Sequence, residues 1–334
     1  MNQVTSQPPI LEVKNLRTYF DTPRGELRAV DDVSFTVHAG ECLGIIGESG
    51  SGKTVSCLSV MGLIDAPGRI VSGEILFMGR DLRRLSPAEM EEIRGSGISM
   101  IFQDPLTSLN PVFTVERQMT DVIRRHRRCS QKEARQQAIE RLAQVGVPAP
   151  EERMGQYPFQ LSGGLRQRVM IAMALSCEPK LVIADEPTTA LDVSIQAQIL
   201  DLLQDLKAQL NFALIFVSHD LGVIANLSDR VIIMYAGKAL EHAPTETVFT
   251  APAHPYTYGL LRSAPSLSSD RRNPLNPIEG VLPDLTHLPP GCPFEPRCNR
   301  RTAECAAAMP ALVSHGPEHL LACHHPLTNG PKGS

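Results

Sequence analysis

Nothing in the 334 residues of this chain approaches the ~18 uninterrupted apolar positions that a membrane-crossing helix needs. The chain is therefore expected not to cross a membrane by itself. It also lacks any excess of positive charge. The net charge of −4 gives no hint of nucleic-acid binding. Its one basic cluster, Arg124-Arg125-His126-Arg127-Arg128, reads as a solvated helix face, with contact to acidic partner loops or lipid headgroups as the lesser reading. The opening stretch Met1–Pro9 is polar and has no signal-peptide pattern. What is present is ordinary for a soluble globular protein: 42% hydrophobic residues, enough for a sizeable core, and 20% charged. The length suits one large domain or two smaller ones.

Against that background one loop stands out. Gly47-Glu48-Ser49-Gly50-Ser51-Gly52-Lys53-Thr54 is a complete phosphate-binding pattern, G-x-x-x-x-G-K-[ST]. The apolar run Leu43–Ile46 before it suits a buried strand, and Lys53–Met61 reads as a helix. Gly47, Gly50 and Gly52 let the backbone turn its N–H groups inward, where a Cβ would obstruct. The helix start adds partial positive charge at the same point. Lys53 can reach β- and γ-phosphates, and the Thr54 hydroxyl can ligate Mg²⁺.

Two more apolar runs end in polar groups. Leu181–Ala184 emerges at Asp185-Glu186, which places carboxylates at the carboxyl edge of a sheet, where ligands of open α/β folds bind. Asp185 suits an Mg²⁺ shell, and Glu186 is the candidate to polarise an attacking water. Leu214–Val217 closes with Ser218-His219-Asp220, so His219 could reach a γ-phosphate. Gln103 follows another hydrophobic strand and could touch Mg²⁺ or water through its amide oxygen. In Leu161-Ser162-Gly163-Gly164-Leu165-Arg166-Gln167, Ser162 is a good N-cap, and the two glycines admit phosphate oxygens to a helix start.

The last eighty or so residues change character. Pro283, Pro289, Pro290, Pro293 and Pro296 exclude long regular elements. Four of the eight cysteines gather there as C-x5-C-x6-C-x17-C: Cys292, Cys298, Cys305 and Cys323. Clustered cysteines in a cytosolic chain favour metal or cluster binding over disulfides. Four thiolates can hold a [4Fe–4S] cluster or a tetrahedral Zn²⁺. Lack of C-x2-C knuckles tilts the reading toward iron–sulfur, while His324 and His325 keep a mixed-ligand zinc site open, and a metal-free lobe is the third reading. Cys42, Cys57, Cys129 and Cys177 are scattered and read as small hydrophobes or bystanders.

In order along the chain, Phe20 (with Tyr19 beside it), Gly47–Thr54, Gln103, Leu161–Gln167, Asp185-Glu186, Asp192 and His219 resemble the motif series of ABC ATPases. There they serve as adenine-stacking aromatic, phosphate loop, glutamine loop, signature, Asp-Glu strand, D-loop and histidine switch. The signature departs mildly, with Leu165-Arg166 before Gln167. His254-Pro255-Tyr256-Thr257, Gly291–Cys298 (GCPFEPRC), Phe102–Pro111 and Met61–Ile64 narrow the resemblance to ATP-binding subunits of dipeptide, oligopeptide and nickel importers, closest to the D-type dipeptide subunits. The resemblance covers about residues 10–327. It implies an α/β fold: a RecA-like P-loop core with an antiparallel β subdomain, a helical subdomain at about 105–175, and a short Cys/Pro-rich extension. The implied domains are 8–257 and 258–330.

It also implies ATP and Mg²⁺ as ligands. In the family, two ATPase domains pair head to tail, so Ser162 and Gly164 would act at a partner's nucleotide, with Gln167 and Asp192 also implied as nucleotide-binding residues. With one motif set here, a paralogous F-type ATPase subunit is expected to complete a heterodimer, with two membrane permeases and a periplasmic binding protein. The expected location is the cytoplasmic face of a bacterial inner membrane. Relatives can carry a four-cysteine iron–sulfur site. The rival readings are the same motor with nickel, oligosaccharide or antimicrobial-peptide cargo, and a soluble ABC switch acting on ribosomes or DNA. The absence of a second cassette and of a coiled-coil insert weighs against the latter.

Overall fold

The computed structural model describes residues 8–189, 191–263 and 278–327. Most of the polar opening (1–7) and positions 264–277 and 328–330 of the expected extension lie outside the described residues. The chain forms two compact units. One comprises the described residues up to Leu11, Val37–Glu41 and Phe77–Phe216; the other comprises Glu12–Thr36, Cys42–Leu76 and the described residues from Val217 onward.

In the second unit the strands Gly25–Val37, Leu11–Thr22 and Gly68–Phe77 neighbour one another in that order. Leu11–Thr22 shows how the sequence aims its side chains. Leu11 and Val13 are buried, Asn15 adopts a left-handed φ of 47°, and burial resumes one position out of phase at Leu16 and Thr18. A single irregular residue thus resets the two-residue alternation. A second sheet here runs Cys42–Ile46, Arg230–Tyr235, Lys238–Pro244, His319–Leu321, Val313–Gly316. Cys42–Ile46 lies parallel to Arg230–Tyr235, with Ile45 opposite Ile232, and all five of its residues are buried. This is the composition expected of a strand covered on both faces. The turn from Tyr235 to Lys238 is the two-residue Ala236-Gly237, both with positive φ (47° and 79°), which is the geometry that tight antiparallel hairpins demand. The proline-rich end supplies the two outer strands, with Glu241 opposite Leu321. Among the described residues from 278 onward, no element exceeds five residues.

The first unit carries the strands Ala213–Val217, Leu181–Asp185 and Ile98–Ile101 in that order, the last two parallel with Met100 opposite Ile183. Its helices between residues 105 and 175 are Pro105–Ser108, Val115–His126, Gln131–Gln144, Pro150–Met154 and Gly163–Leu175. Capping is explicit in the sequence. Ser130 and Glu133 form a reciprocal capping box at the start of Gln131–Gln144. The basic cluster ends Val115–His126, where it is answered locally: Arg125 pairs with Glu91 and Glu92, and Arg127 with Glu178.

Candidate nucleotide site

The sequence-derived site residues divide between the two units. In the second unit, strand Cys42–Ile46 delivers the phosphate loop and helix Lys53–Met61 closes it. The glycines are required here. A methyl on Gly47 would run into the Met234 carbonyl and the Ser51 hydroxyl, and one on Gly52 (φ 101°) into the Ala29 carbonyl. Ser49, Gly50 and Thr54 are exposed, and Lys53 is buried. Lys53 Nζ donates to the carbonyls of Gly47 (2.8 Å) and Glu48 (3.1 Å), so the amine arches over the loop. The buried Ser51 Oγ has no hydrogen-bond partner among the described residues, as befits a hydroxyl awaiting an anion. The loop thus fits a phosphate chain. His219 follows strand Ala213–Val217 and is exposed, beside Asp220, whose carboxylate caps helix Leu221–Leu227. Phe20 and Tyr19 part company. Tyr19 is turned in, its hydroxyl donating to Asp31 at 2.7 Å, and burial together with that carboxylate pushes the phenol up to about 12. Phe20 is half-buried, with its ring against Gly68.

In the first unit, strand Leu181–Asp185 ends with Asp185 buried and Glu186 partly exposed. Glu186 has φ 47°, a left-handed backbone rare for a non-glycine residue. Its Oε2 accepts from Gln103 Nε2 at 3.3 Å and from Thr189 Oγ1 at 3.0 Å. Two residues chosen from sequence, Gln103 and Glu186, therefore meet. Thr189, which holds the carboxylate from the other side, carried no motif signal. Ser162 caps helix Gly163–Leu175, accepting from Leu165 N at 3.4 Å, and Ser162 and Gly163 are exposed. Gly164 packs close to Ile195, and Asp192 caps helix Val193–Leu210 by accepting from Ile195 N. Gln167 is placed differently from what the sequence suggested. It is wholly buried within Gly163–Leu175, and neither amide atom has a partner among the described residues. The exposed start of that helix is presented without it.

The four clustered cysteines line one cavity in the second unit, together with Phe294 and His254. Burial pushes the Cys292 thiol up to about 12 and that of Cys323 to about 11, and raises Cys298. Metal binding would have to displace protons from these thiols. Among the described residues no three His, Cys, Asp or Glu side chains gather as a metal-ligating group. Both candidate histidines are engaged elsewhere: His324 Nε2 donates to Ala308 O, and His325 Nε2 pairs with Thr302 Oγ1.

Residues 30–189 match the ABC transporter family, and residues 240–305 the oligopeptide/dipeptide transporter C-terminal region. The chain is 47% identical over 318 residues to the dipeptide transport ATP-binding protein DppD of Escherichia coli (strain K12), covering 95% of this chain and 97% of that protein. It is 47% identical over 315 residues to the oligopeptide transport ATP-binding protein AppD of Bacillus subtilis (strain 168), covering 94% and 96%. The chain belongs to the ABC transporter ATPase family. Solved ABC cassettes agree on the fold. The dimeric MJ0796 cassette in a post-hydrolysis state with ADP and Pi matches at TM-score 0.64 and 28% identity, covering 70% of this chain and 98% of that one. CbiO1 of Clostridium perfringens matches at 0.62 and 26%, covering 73% and 92%. As an ABC ATPase, the chain binds and hydrolyses ATP with Mg²⁺. No described helix is long and apolar enough to cross a membrane.

Proposed function

We propose that this chain is the ATP-hydrolysing subunit of a bacterial importer of dipeptides or short peptides, seated on the cytoplasmic face of the inner membrane. The observation that carries the reading is a Glu186 carboxylate held by Gln103 and Thr189, in a chain similar along nearly its whole length to dipeptide and oligopeptide transport ATP-binding proteins. Lys53 and the amides of Gly47–Thr54 bind phosphates, and Phe20 stacks on adenine. Glu186 orients the attacking water, and Gln103 and His219 respond to the γ-phosphate. Thr54 and Asp185, with Gln103, supply oxygen ligands for Mg²⁺, which neutralises phosphate charge when bound. Ser162 and Gly164 present a helix start to the nucleotide of a paralogous ATPase subunit, and Asp192 stiffens the neighbouring helix. The buried Gln167 supports that helix from within.

Two permeases and, through them, a periplasmic binding protein complete the assembly. Exposed apolar side chains in the first unit, Phe102, Leu106, Val112, Phe113 and Phe159, support a docking face for a permease. The ATPase domain spans 8–257, with its helical subdomain at about 105–175, and the extension spans 258–330. Cys292, Cys298, Cys305 and Cys323 suit a [4Fe–4S] cluster by donor chemistry: four thiols on one cavity, with a backbone N–H from Arg300 to Cys298 Sγ at 3.4 Å. The engagement of His324 and His325 disfavours the zinc alternative. Anaerobic purification of the intact complex tests all of this. Permeases should co-purify, ATP turnover should rise with a peptide-loaded binding protein, and iron should approach ~4 per chain, the content of one such cluster. A partnerless chain with peptide-independent turnover would overturn the transport reading, and zinc or no metal would overturn the cluster.

A further inference from the structure

The phosphate-loop pattern leaves its second position open, yet here that position is Glu48, and it is gripped by the far end of the chain. Arg297 lies between Cys292 and Cys298, 249 residues away, with its side chain 5% exposed. Its guanidinium meets the Glu48 carboxylate as a two-pronged fork, Nη1 to Oε2 at 2.7 Å and Nη2 to Oε1 at 3.1 Å. The remaining donor capacity goes to the Tyr235 hydroxyl (3.2 Å), Ile278 O (3.1 Å) and, from Nε, Glu279 O (3.0 Å). All five N–H groups can therefore be satisfied, and the fork is rigid. Below it, Phe294 packs edge-on against Tyr235 at 5.4 Å and tilted against Tyr256 at 5.2 Å. Tyr256 Oη in turn accepts from the Glu48 backbone N–H at 3.0 Å. Glu48 is thus held at both side chain and backbone, while its own carbonyl accepts from Lys53 Nζ and Ser51 N.

A carboxylate in a loop built for phosphates is an electrostatic liability, because it repels the anion the loop must receive. Arg297 neutralises it and fixes it in place. We propose that Arg297 is a positioning residue for the phosphate loop: by pairing with Glu48 it cancels that carboxylate's repulsion of ATP and sets the loop that carries Lys53, making the C-terminal extension a cis-acting part of the nucleotide site. The inference rests on the reading of Gly47–Thr54 as an ATP site.

The test is binding of a fluorescent ATP analogue to the full chain, with KM and kcat for ATP in the assembled complex. Wild type and Lys53→Ala decide the underlying reading: binding that Lys53→Ala abolishes upholds it, and no binding by wild type overturns it along with the inference. Given binding, Arg297→Ala should weaken it about tenfold, the order expected when a charge-assisted hydrogen-bonded pair is lost. The loss should fall on KM more than on kcat. Arg297→Lys, which keeps the charge but not the fork, should recover part of the loss. The decisive variant is Arg297→Ala with Glu48→Gln, which should bind ATP more tightly than Arg297→Ala alone, because the unpaired carboxylate is gone. A purely structural pair predicts the reverse. A double variant no tighter than the single, or Arg297→Ala within about twofold of wild type, overturns the proposal. If Arg297→Ala fails to fold, Glu48→Gln alone decides: affinity unchanged or tighter agrees with repulsion as the liability, and a loss of about tenfold overturns it.

Discussion

Glu186 stands in a left-handed backbone, a conformation that costs a non-glycine residue about 1–3 kcal/mol and persists only where its surroundings enforce it. Gln103 and Thr189 together aim one of its carboxylate oxygens. Glu186→Gln preserves the shape and removes the carboxylate proposed to orient the water. It should cut ATP turnover by about 10²-fold or more while leaving nucleotide binding in place, as read by phosphate release beside equilibrium binding. Gly52 makes a complementary case. With φ at 101° and the Ala29 carbonyl where a Cβ would go, Gly52→Ala must shift the loop and should abolish nucleotide binding, which titration with an ATP analogue would reveal. Both residues were legible from sequence, since the chemistry of phosphate and water restricts which residue types can stand there. Thr189 was not, because a threonine near a strand end has many other uses. Nor was the inward turn of Tyr19, whose hydroxyl donates to Asp31.

Elements were easier to read than the direction in which their side chains point. The strand before the phosphate loop and the helix Lys53–Met61 follow the apolar runs closely, and Ser162 caps its helix as its residue type suggests. Gln167 escaped because motif spacing counts positions along the chain, whereas a helix distributes them at about 100° per residue. Five positions past the Ser162 cap, that rotation carries the side chain into the core of a helix buried on several sides. The loop and short helix around Leu106 illustrate the opposite case. Leu106 is 55% exposed, and Val112, beyond the end of that helix, is 70% exposed, with Phe113 beside it. Apolar side chains left in water at such density mark a surface that expects cover. Replacing both Val112 and Phe113 by Asp should therefore release the permeases on co-purification while the isolated chain still binds ATP. Permeases retained by that variant would place their docking face elsewhere.

At the scale of the whole molecule, the least legible feature was how the proline-rich end is tied in. Its strand His319–Leu321 pairs with Lys238–Pro244, and His319 reaches the wholly buried Glu241, which also accepts from the amides of Ala253 and His254. Partners so far apart in sequence leave no local pattern to read. This buried polar layer makes the fold sensitive to acid. His254 Nδ1 accepts from Tyr256 N–H, and His242 Nε2 accepts from the Arg230 guanidinium, so neither ring can gain a second proton without losing a hydrogen bond. Burial lowers His254 to about 4, and burial together with Arg230 lowers His242 to about 3. Once unfolded, both return toward 6.5. Below that value the unfolded chain binds protons the folded one refuses, so stability is full above about pH 6.5 and falls as pH drops toward 4. Each histidine contributes a slope of about 1.4 kcal/mol per pH unit across that window, or about 3 kcal/mol for the pair. Glu241 adds to the loss at the acid end, because hydrogen bonds from His319 and the neighbouring amides outweigh burial and hold its carboxyl below the usual range. Thermal unfolding of the full chain should therefore show Tm falling steeply between pH 6.5 and 5, and His242→Gln should flatten that slope by about half. An unchanged slope in that variant would mean that His242 is not held neutral in the folded protein.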